Sequence, residues 1–262
     1  MTRYFSLFAT QLRTSIATAM QYRANFIIEA VLSVAWLAIA LLPLIVLFEK
    51  RDSIAGWDQP SALIVMAYFM AVKAIMEGMV TPSLVSLVEK IRSGAFDYVL
   101  LKPVDAQFMV STAGYEPQKA IDLLGAILLA CYAFSQRGVW PSAGQVGVGV
   151  VLLASGVLAM YSLWIICAAA SFWVVRLDNL IYLLMAIFDT ARWPIQVFRG
   201  AWRFLFTFII PVALMTTFPA MALLGRLSAR TTLLTIAGSL AMVMVSRLIW
   251  RAAIRNYTSA SS

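Results

Sequence analysis

The 262-residue chain is poor in the residues that build enzyme active sites and metal centres. It has no histidine, which removes the commonest metal ligand and general base and excludes a serine–histidine hydrolase. Its two cysteines, Cys131 and Cys167, lie within apolar runs, so we expect neither a disulfide nor a metal site. It also lacks the G-x-x-x-x-G-K-S/T motif, so we do not expect it to bind ATP through a P-loop of its own.

Charged residues are scarce too, at 12% of the chain, whereas 62% of the residues are apolar. A soluble domain of this size could not bury so much apolar surface, but lipid can solvate it, and a spanning helix needs about 20 mostly apolar residues. We therefore predict an all-α integral membrane protein with about six transmembrane helices. The expected spans are residues 26–48, 61–80, 120–134, 145–175, 180–197 and 231–250.

Basic residues lie mostly between the apolar runs and give the chain a net charge of +8. This placement fits anchoring at anionic lipid headgroups better than binding to nucleic acid. Residues 1–25 place Tyr4, Phe8, Leu12 and Ile16 on one helical face, which predicts an amphipathic helix at the cytoplasmic surface. Residues 26–262 then form a single transmembrane domain.

Two apolar runs near the C-terminal end are broken by prolines, at Pro194, Pro211 and Pro219. Non-helical backbone at membrane depth is tolerated only where it is buried in protein or lines a cavity. We therefore predict a re-entrant hairpin before the last span that gates an external exit; an ordinary kinked span is the alternative.

Lysine and arginine near the span ends indicate orientation. With six spans, the basic N-terminal segment, the loop after the second span and the basic C-terminal end share one side, so both termini are expected in the cytoplasm. A rival topology makes residues 176–203 a cytoplasmic surface helix and residues 203–224 the fifth span. The two topologies place Arg199 on opposite sides of the membrane.

Lys73 and Glu77 lie one helical turn apart within the second predicted span. Charges at membrane depth usually face a partner or a cavity, which predicts a polar lining of a pathway or an interface. The alternative is a local ion pair that makes both charges tolerable.

The polar loop at about residues 82–118 contains a helical pattern with Leu84, Leu87, Val88 and Ile91 on one face. Gly94 suits the end of that helix. Aromatic and leucine side chains then alternate with charges before Pro103, which favours docking of a cytoplasmic partner. A helix lying on the lipid surface is the alternative.

This order of elements resembles the ABC-2 type permeases, the membrane subunits of ATP-driven exporters. The segment RSGAFDYVLLKPVD at 92–105 is similar to the loop signature of a bacterial branch of that family, and FWVVRLDN at 172–179 and FIIPVA at 208–213 are also typical of it. The related polysaccharide and teichoic acid exporters have a similar turn, matched loosely here by Arg176 and Asp178, ahead of a membrane-inserted fifth span.

The resemblance implies a permease subunit in a bacterial inner membrane that forms half of an export pathway. It implies two permeases, as a second copy or a related chain, and two ATPase subunits that hold ATP and magnesium. The coupling loop would press against the ATPase through Glu89, Arg92, Gly94, Phe96, Asp97, Tyr98, Leu100, Leu101, Lys102 and Pro103.

Other functions stay open. An ion-coupled secondary transporter would be expected to show internal repeats and charges within its spans, and we see no repeat. A membrane scaffold subunit is a further alternative. An aspartyl protease would need an aspartate in each of two central spans, whereas Asp122 and Asp189 lie close to span ends. We therefore expect no enzymatic activity from this chain.

Overall fold

The computed structural model describes residues 2–21, 23–173 and 178–257, and 82% of these residues are helical. The helices are α1 Thr2–Gln21, α2 Arg23–Glu49, α3 Gln59–Ile75, α4 Thr81–Arg92, α5 Asp97–Leu100, α6 Ala106–Ser111, α7 Ala120–Arg137, α8 Ala143–Ala170, α9 Asp178–Phe188, α10 Gly200–Phe204, α11 Phe218–Leu223 and α12 Ala229–Arg255. Strands β1 Ser53–Ile54 and β2 Trp57–Asp58 pair antiparallel. Tighter 3-10 turns lie at Pro117–Lys119, Asp189–Arg192 and Ile195–Val197, and wider π-helical turns lie at Met76–Val80, Leu205–Ile209 and Ala213–Thr217.

Five helices in the described part of the chain are long and apolar enough to cross a membrane. They are Ala24–Glu49, Gln59–Arg92, Pro117–Arg137, Ala143–Ala170 and Ala229–Arg255. They confirm the prediction of an all-α, multi-pass membrane protein.

The predicted fifth span, 180–197, takes a different form. Its helix α9 has 11 residues and gives way to a 3-10 turn at Asp189, so it rises only about 16 Å, roughly half of a hydrocarbon core. The physical reason is Pro194, because a proline disfavours helical backbone at the residue before it. Trp193 is accordingly extended, with ψ of 142°.

Helix α3 lies at the centre of the subunit, and most of its side chains are buried, from Ser61 to Ala74. It continues through the π-helical turn into α4, so one helix runs from Gln59 to Arg92. The second span was predicted to end at residue 80, but the helix is longer because the apolar face of α4 packs inside the subunit. Leu84, Leu87, Val88 and Ile91 are all buried on that face, beside α6 and α8.

The segment predicted to form a re-entrant hairpin consists of two short helical arms separated at Ile210 and Pro211. The first arm, α10 with its π-helical turn, ends at Ile210, whose backbone is extended. The second arm, Ala213–Leu223, packs against α8 and α3. Glycines allow this close approach: a Cβ at Gly156 would lie 3.0 Å from the backbone of Met215, and one at Gly149 would lie 2.9 Å from Leu223.

Pro219 does not break the second arm, contrary to the prediction that it interrupts a span. The N–H of Phe218 bonds to the carbonyl oxygen of Ala213, five residues back. The same arrangement precedes Pro82, where the N–H of Thr81 bonds to Met76. In both places a π-helical turn ends two residues before the proline, so the helix widens there and continues.

The subunit has two polar ends. At one end, Trp57 donates a hydrogen bond to Gln196 at 3.1 Å, and Arg137 donates to Ser61 at 2.5 Å. The coupling loop, the end of α8 and the end of α12 meet at the other, where the ring of Phe96 contacts Phe172. Residue 196 lies beside the β-hairpin and away from the coupling loop. This placement favours the first topology over the rival, which put 176–203 on the coupling-loop side.

Candidate functional site

Six charged side chains form a continuous chain across three parts of the subunit, which we call the charge chain. Its alternating members are Arg192, Asp189, Lys73, Glu77, Lys119 and Asp122, and the successive nitrogen–oxygen distances are 3.7, 3.5, 3.8, 2.9 and 3.7 Å. The sequence predicted the pair Lys73 and Glu77, and the structure places them in the middle of this larger network.

The middle of the charge chain falls within the length of a membrane-spanning helix. Lys73 and Glu77 are about 18 and 24 Å along the helix from Ser61, within the roughly 30 Å thickness of a hydrocarbon core. Yet the side chains of Lys73 and Asp189 are 42% and 43% exposed in the single subunit. Charged groups facing lipid tails carry a high free-energy cost, so this surface requires water or a protein partner.

A π-helical turn and a proline shape the backbone beside Glu77. Pro82 has no N–H to bond to the carbonyl oxygen of Gly78, four residues earlier. That carbonyl instead accepts the N–H of Glu116 at 2.8 Å. A Cβ on Gly78 would lie 3.1 Å from the Cβ of Lys119, so glycine permits the close approach. The end of the coupling loop is thereby joined to the central helix next to the charge chain.

Burial raises the pKa of Glu116 above its ordinary value, with the nearby carboxylates of Glu29 and Glu77 acting in the same direction. The ammonium of Lys119 opposes this shift. Lys119 therefore lies among three acidic side chains and forms ion pairs with Glu77 and Asp122.

The segment that carries Asp189 and Arg192 packs against the second re-entrant arm; we call residues 189–197 the gate segment. Thr216 donates a hydrogen bond to the carbonyl oxygen of Ala191 at 2.9 Å, and the N–H of Ile195 donates to Thr217 at 3.1 Å. Of the predicted gate prolines, Pro194, Pro211 and Pro219 are all buried. Only the first two interrupt the helices.

The coupling loop folds as a compact layer rather than an open loop. Helix α4 ends where Gly94 adopts a left-handed backbone with φ of 73°, and the short helices α5 and α6 follow. Several predicted docking residues are exposed, namely Glu89, Arg92, Tyr98, Leu100, Leu101, Lys102 and Pro103, whereas Gly94 and Asp97 are half-buried. Tyr98 and Leu101 are the most prominent, at 72% and 79% exposure.

Phe96 corrects the predicted set, because its side chain is fully buried and no partner could contact it. Its ring lies 5.2 Å from Phe172, 5.4 Å from Tyr257 and 6.2 Å from Trp250. The sequence placed Phe96 among charges, but the structure covers it with Trp250 of α12 and with residues that directly follow α8 and α12. Phe96 thus fastens the loop to the transmembrane helices.

A second polar network attaches the C-terminal part of the coupling loop to α8 and α12. Arg247 of α12 donates hydrogen bonds to Asp105 and, at 2.7 Å, to Gln107. Gln107 and Ser111 both contact the hydroxyl of Tyr161, at 2.9 Å. The predicted turn residue Arg176 and the side chain of Asp178 lie outside the described residues.

A sequence profile described as ABC-2 family transporter protein matches residues 34–261. The chain belongs to this family. It is therefore a permease component of an ABC transporter and a multi-pass membrane protein. No curated protein and no solved structure matches the chain.

Sequence reasoning missed four members of the charge chain in this permease: Asp189, Arg192, Lys119 and Asp122. Their positions in the sequence could have suggested this network. All four lie near the ends of apolar runs, and charges at the ends of neighbouring spans of similar length lie at the same depth and can form ion pairs. It also missed Arg247 and Asp105, which are 142 residues apart. Among the described residues, no cluster of three or more histidine, cysteine, aspartate or glutamate side chains could hold a metal ion.

Proposed function

We propose that this permease is one half of an ATP-driven export pathway and that it couples to a separate ATPase subunit. Family membership supports a role in an ABC transporter. The chain has no P-loop, so nucleotide and magnesium belong to the partner ATPase. A second copy or a related permease completes the pathway, in a bacterial inner membrane with both termini in the cytoplasm.

The observation that carries this proposal is an exposed apolar projection on the coupling loop, which we call the docking surface. It consists of Tyr98, Leu100, Leu101, Lys102 and Pro103. Exposed aromatic and leucine side chains beside charges are typical of protein interfaces, where the apolar groups supply contact area. Glu89 and Arg92 lie exposed on the preceding helix and suit the polar rim of such a contact.

The docking surface has a rigid base. Val99 and Phe96 are buried directly beneath it, and Asp105 begins α6 by accepting the N–H of Phe108 at 3.0 Å. The surface also follows directly from the helix Gln59–Arg92, which forms the centre of the transmembrane part. A push by an ATPase on this surface would therefore reach the charge chain through that helix and through the contact between Glu116 and Gly78.

The test is affinity purification of the tagged permease from membranes of its own cells, followed by measurement of vanadate-sensitive ATP hydrolysis in the eluate. We expect the wild type to bring down this activity and the double variant Tyr98→Ala, Leu101→Ala to lose it, since anchor residues carry about 2 kcal/mol or more each at an interface. Val139→Ala with Leu233→Ala is the matched control, because these side chains are 66% and 68% exposed far from the loop.

Two results would count against the proposal in different ways. Absence of any ATPase with the wild type would contradict the coupling to a separate subunit. Retention of the ATPase by the Tyr98→Ala, Leu101→Ala variant would place the docking surface elsewhere.

Ion-coupled transport is a second candidate, because the charge chain provides charges at membrane depth of the kind such transporters use. The two functions differ in their energy source. Transport by the purified complex that needs ATP and persists when an uncoupler abolishes ion gradients supports the exporter, and the reverse result supports ion coupling.

A further inference from the structure

Lys73 occupies a special place in the charge chain, between two carboxylates on different elements. Its Nζ lies 3.5 Å from Asp189 of the gate segment and 3.8 Å from Glu77 of its own helix. Both distances are longer than the 2.9 Å between Lys119 and Glu77. The ammonium is therefore shared between two partners and tightly bound to neither.

The surroundings of Lys73 favour such sharing. The aromatic ring of Phe69 lies 5.7 Å from its Nζ and 5.7 Å from the guanidinium of Arg192. Phe69 is itself buried against Phe188 of α9, at 5.2 Å between ring centres. Both cations thus lie near one ring that bridges the central helix and the start of the gate segment.

Charge neutralisation at membrane depth limits how the gate segment can move. If the gate segment shifted away from α3, Asp189 would move away from Lys73. An ammonium of Lys73 without any carboxylate partner would be strongly unfavourable at membrane depth. Glu77, however, is four residues along the same helix and stays within reach in every position of the gate. Lys73 can therefore release Asp189 without losing a partner, while Asp189 retains Arg192 at 3.7 Å.

Glu77, the second partner of Lys73, is connected to the coupling loop. Glu77 binds Lys119, and Gly78 beside it binds the N–H of Glu116. The π-helical turn lies between Lys73 and the docking surface, and such turns interrupt the regular helical ladder at functional sites. A displacement of the loop would therefore alter the position of Glu77 relative to Lys73.

We propose that Lys73 is a positioning residue that couples the gate segment to the coupling loop by exchanging Asp189 for Glu77. Pairing with Asp189 holds the gate segment against the central helix, and pairing with Glu77 releases it. This inference rests on the proposed function for the source of the movement, an ATPase acting on the docking surface. A ligand can shift such an equilibrium only by as much as its affinities for the two states differ.

The test uses Ala191→Cys as a reporter, in a background with Cys131→Ala and Cys167→Ala. Ala191 is fully buried against the second re-entrant arm, so a maleimide reaches this position only when the gate segment separates. Labelling rates are measured on the purified permease with its ATPase, without nucleotide and after trapping with ATP and vanadate. With Lys73 present we expect trapping to raise the rate about fivefold, a common size for coupling between sites.

The two acidic partners should act in opposite directions, which a merely structural role would not produce. Asp189→Asn should raise the rate without nucleotide, because the closed pairing is lost. Glu77→Gln should lower the rate after trapping, because the released pairing is lost. Lys73→Met should abolish the response of the labelling rate to nucleotide while ATP hydrolysis continues. Lys73→Arg should preserve that response. Lys50→Met, exposed in the loop after α2, is the control for loss of a positive charge.

Three results would overturn the inference: acidic variants that shift the rate in the same direction, a nucleotide response that survives Lys73→Met, or no response in the parent protein. Failure to recover an ATPase would instead contradict the proposed function. On the permease alone, the rise in labelling rate expected for Asp189→Asn remains measurable, and its absence would still contradict the pairing of Lys73 with Asp189.

Discussion

Arg247, near the end of the last helix, forms a two-pronged ion pair with Asp105, at the start of α6. One guanidinium nitrogen donates to Oδ1 of the carboxylate at 3.0 Å and the other contacts Oδ2. The N–H of Asp105 also meets the hydroxyl of Tyr4 at 3.4 Å. Asp105 thus joins the coupling loop to α12 through its carboxylate and to α1 through its backbone N–H.

This pair predicts a pH dependence of stability. The hydrogen bond from Arg247 lowers the pKa of Asp105 below its ordinary value. A lowered folded-state pKa contributes stability that is present above the unfolded pKa of about 4 and is lost as the pH falls below it. Asp105→Asn should therefore lower the melting temperature of the detergent-solubilised subunit at pH 7, by an amount equivalent to about 1 kcal/mol for this partly exposed pair. The difference from wild type should shrink at pH 3; an equal difference at both values would contradict the prediction.

Packing of the re-entrant arm predicts opposite effects at two glycines of α8. A methyl group at Gly156 would lie 3.0 Å from the backbone of Met215, whereas Gly147 has open space around it. Gly156→Ala should destabilise the subunit by about 1–3 kcal/mol because backbone must move. Gly147→Ala should be neutral or stabilising by up to about 1 kcal/mol, since alanine favours helix. Thermal unfolding of both variants measures this, and equal effects would show that the arm does not pack closely.

Burial of Phe96 predicts that its removal affects stability rather than recognition. Phe96→Ala should destabilise the purified subunit by about 3–5 kcal/mol, the usual range for a buried phenylalanine. Phe5→Ala is the matched control, because Phe5 is 76% exposed. If Phe96→Ala has normal thermal stability but no longer binds the ATPase, the prediction is contradicted and Phe96 contacts the partner directly.

The two polar ends predict a labelling pattern in intact cells. With both native cysteines replaced, single cysteines at Ser53 and Arg199 should react with an impermeant reagent, and those at Ser6, Ser93 and Ser259 should be protected. The contact between Trp57 and Gln196 places the first two sites at the same end. Protection at Ser53 with reaction at Ser93 would show that the orientation in the membrane is the opposite of the proposed one. Reaction at only one of Ser53 and Arg199 would contradict the fold.

Some features follow from local sequence alone. Gly138 ends α7 in the left-handed region with φ of 67°, and Ser142 with Gln145 forms a capping box that begins α8. The apolar spacing of Leu84 and Ile91 correctly indicated one apolar helical face, although not that this face is buried inside the subunit. Each of these signals acts within one or two helical turns, which is why a pattern in the sequence reveals it.

Other features depend on contacts between distant segments. Nothing in the residues around Phe96 shows that Phe172, Trp250 and Tyr257 cover it, and nothing around Lys73 shows that Asp189 approaches. The form of the fifth crossing was affected in the same way: the chain passes from the coupling-loop end at Phe172 to the β-hairpin end at Gln196 without a helix long enough to span among its described residues. Residues 180–197 are apolar enough for a span, but the backbone beside Pro194 leaves the helix and is accommodated by hydrogen bonds from the re-entrant arm.

The sequence by itself determined that this protein lies in a membrane, approximately where four of its five long apolar helices lie, and that it belongs with the ABC permeases. These properties depend on apolar runs and short motifs, which are local. Only the tertiary structure decided which charges meet, because Lys73 is 116 residues from Asp189. In lipid, where apolar surface is abundant, the meeting of such charges is set by helix packing and by the high free energy of leaving any of them unpaired.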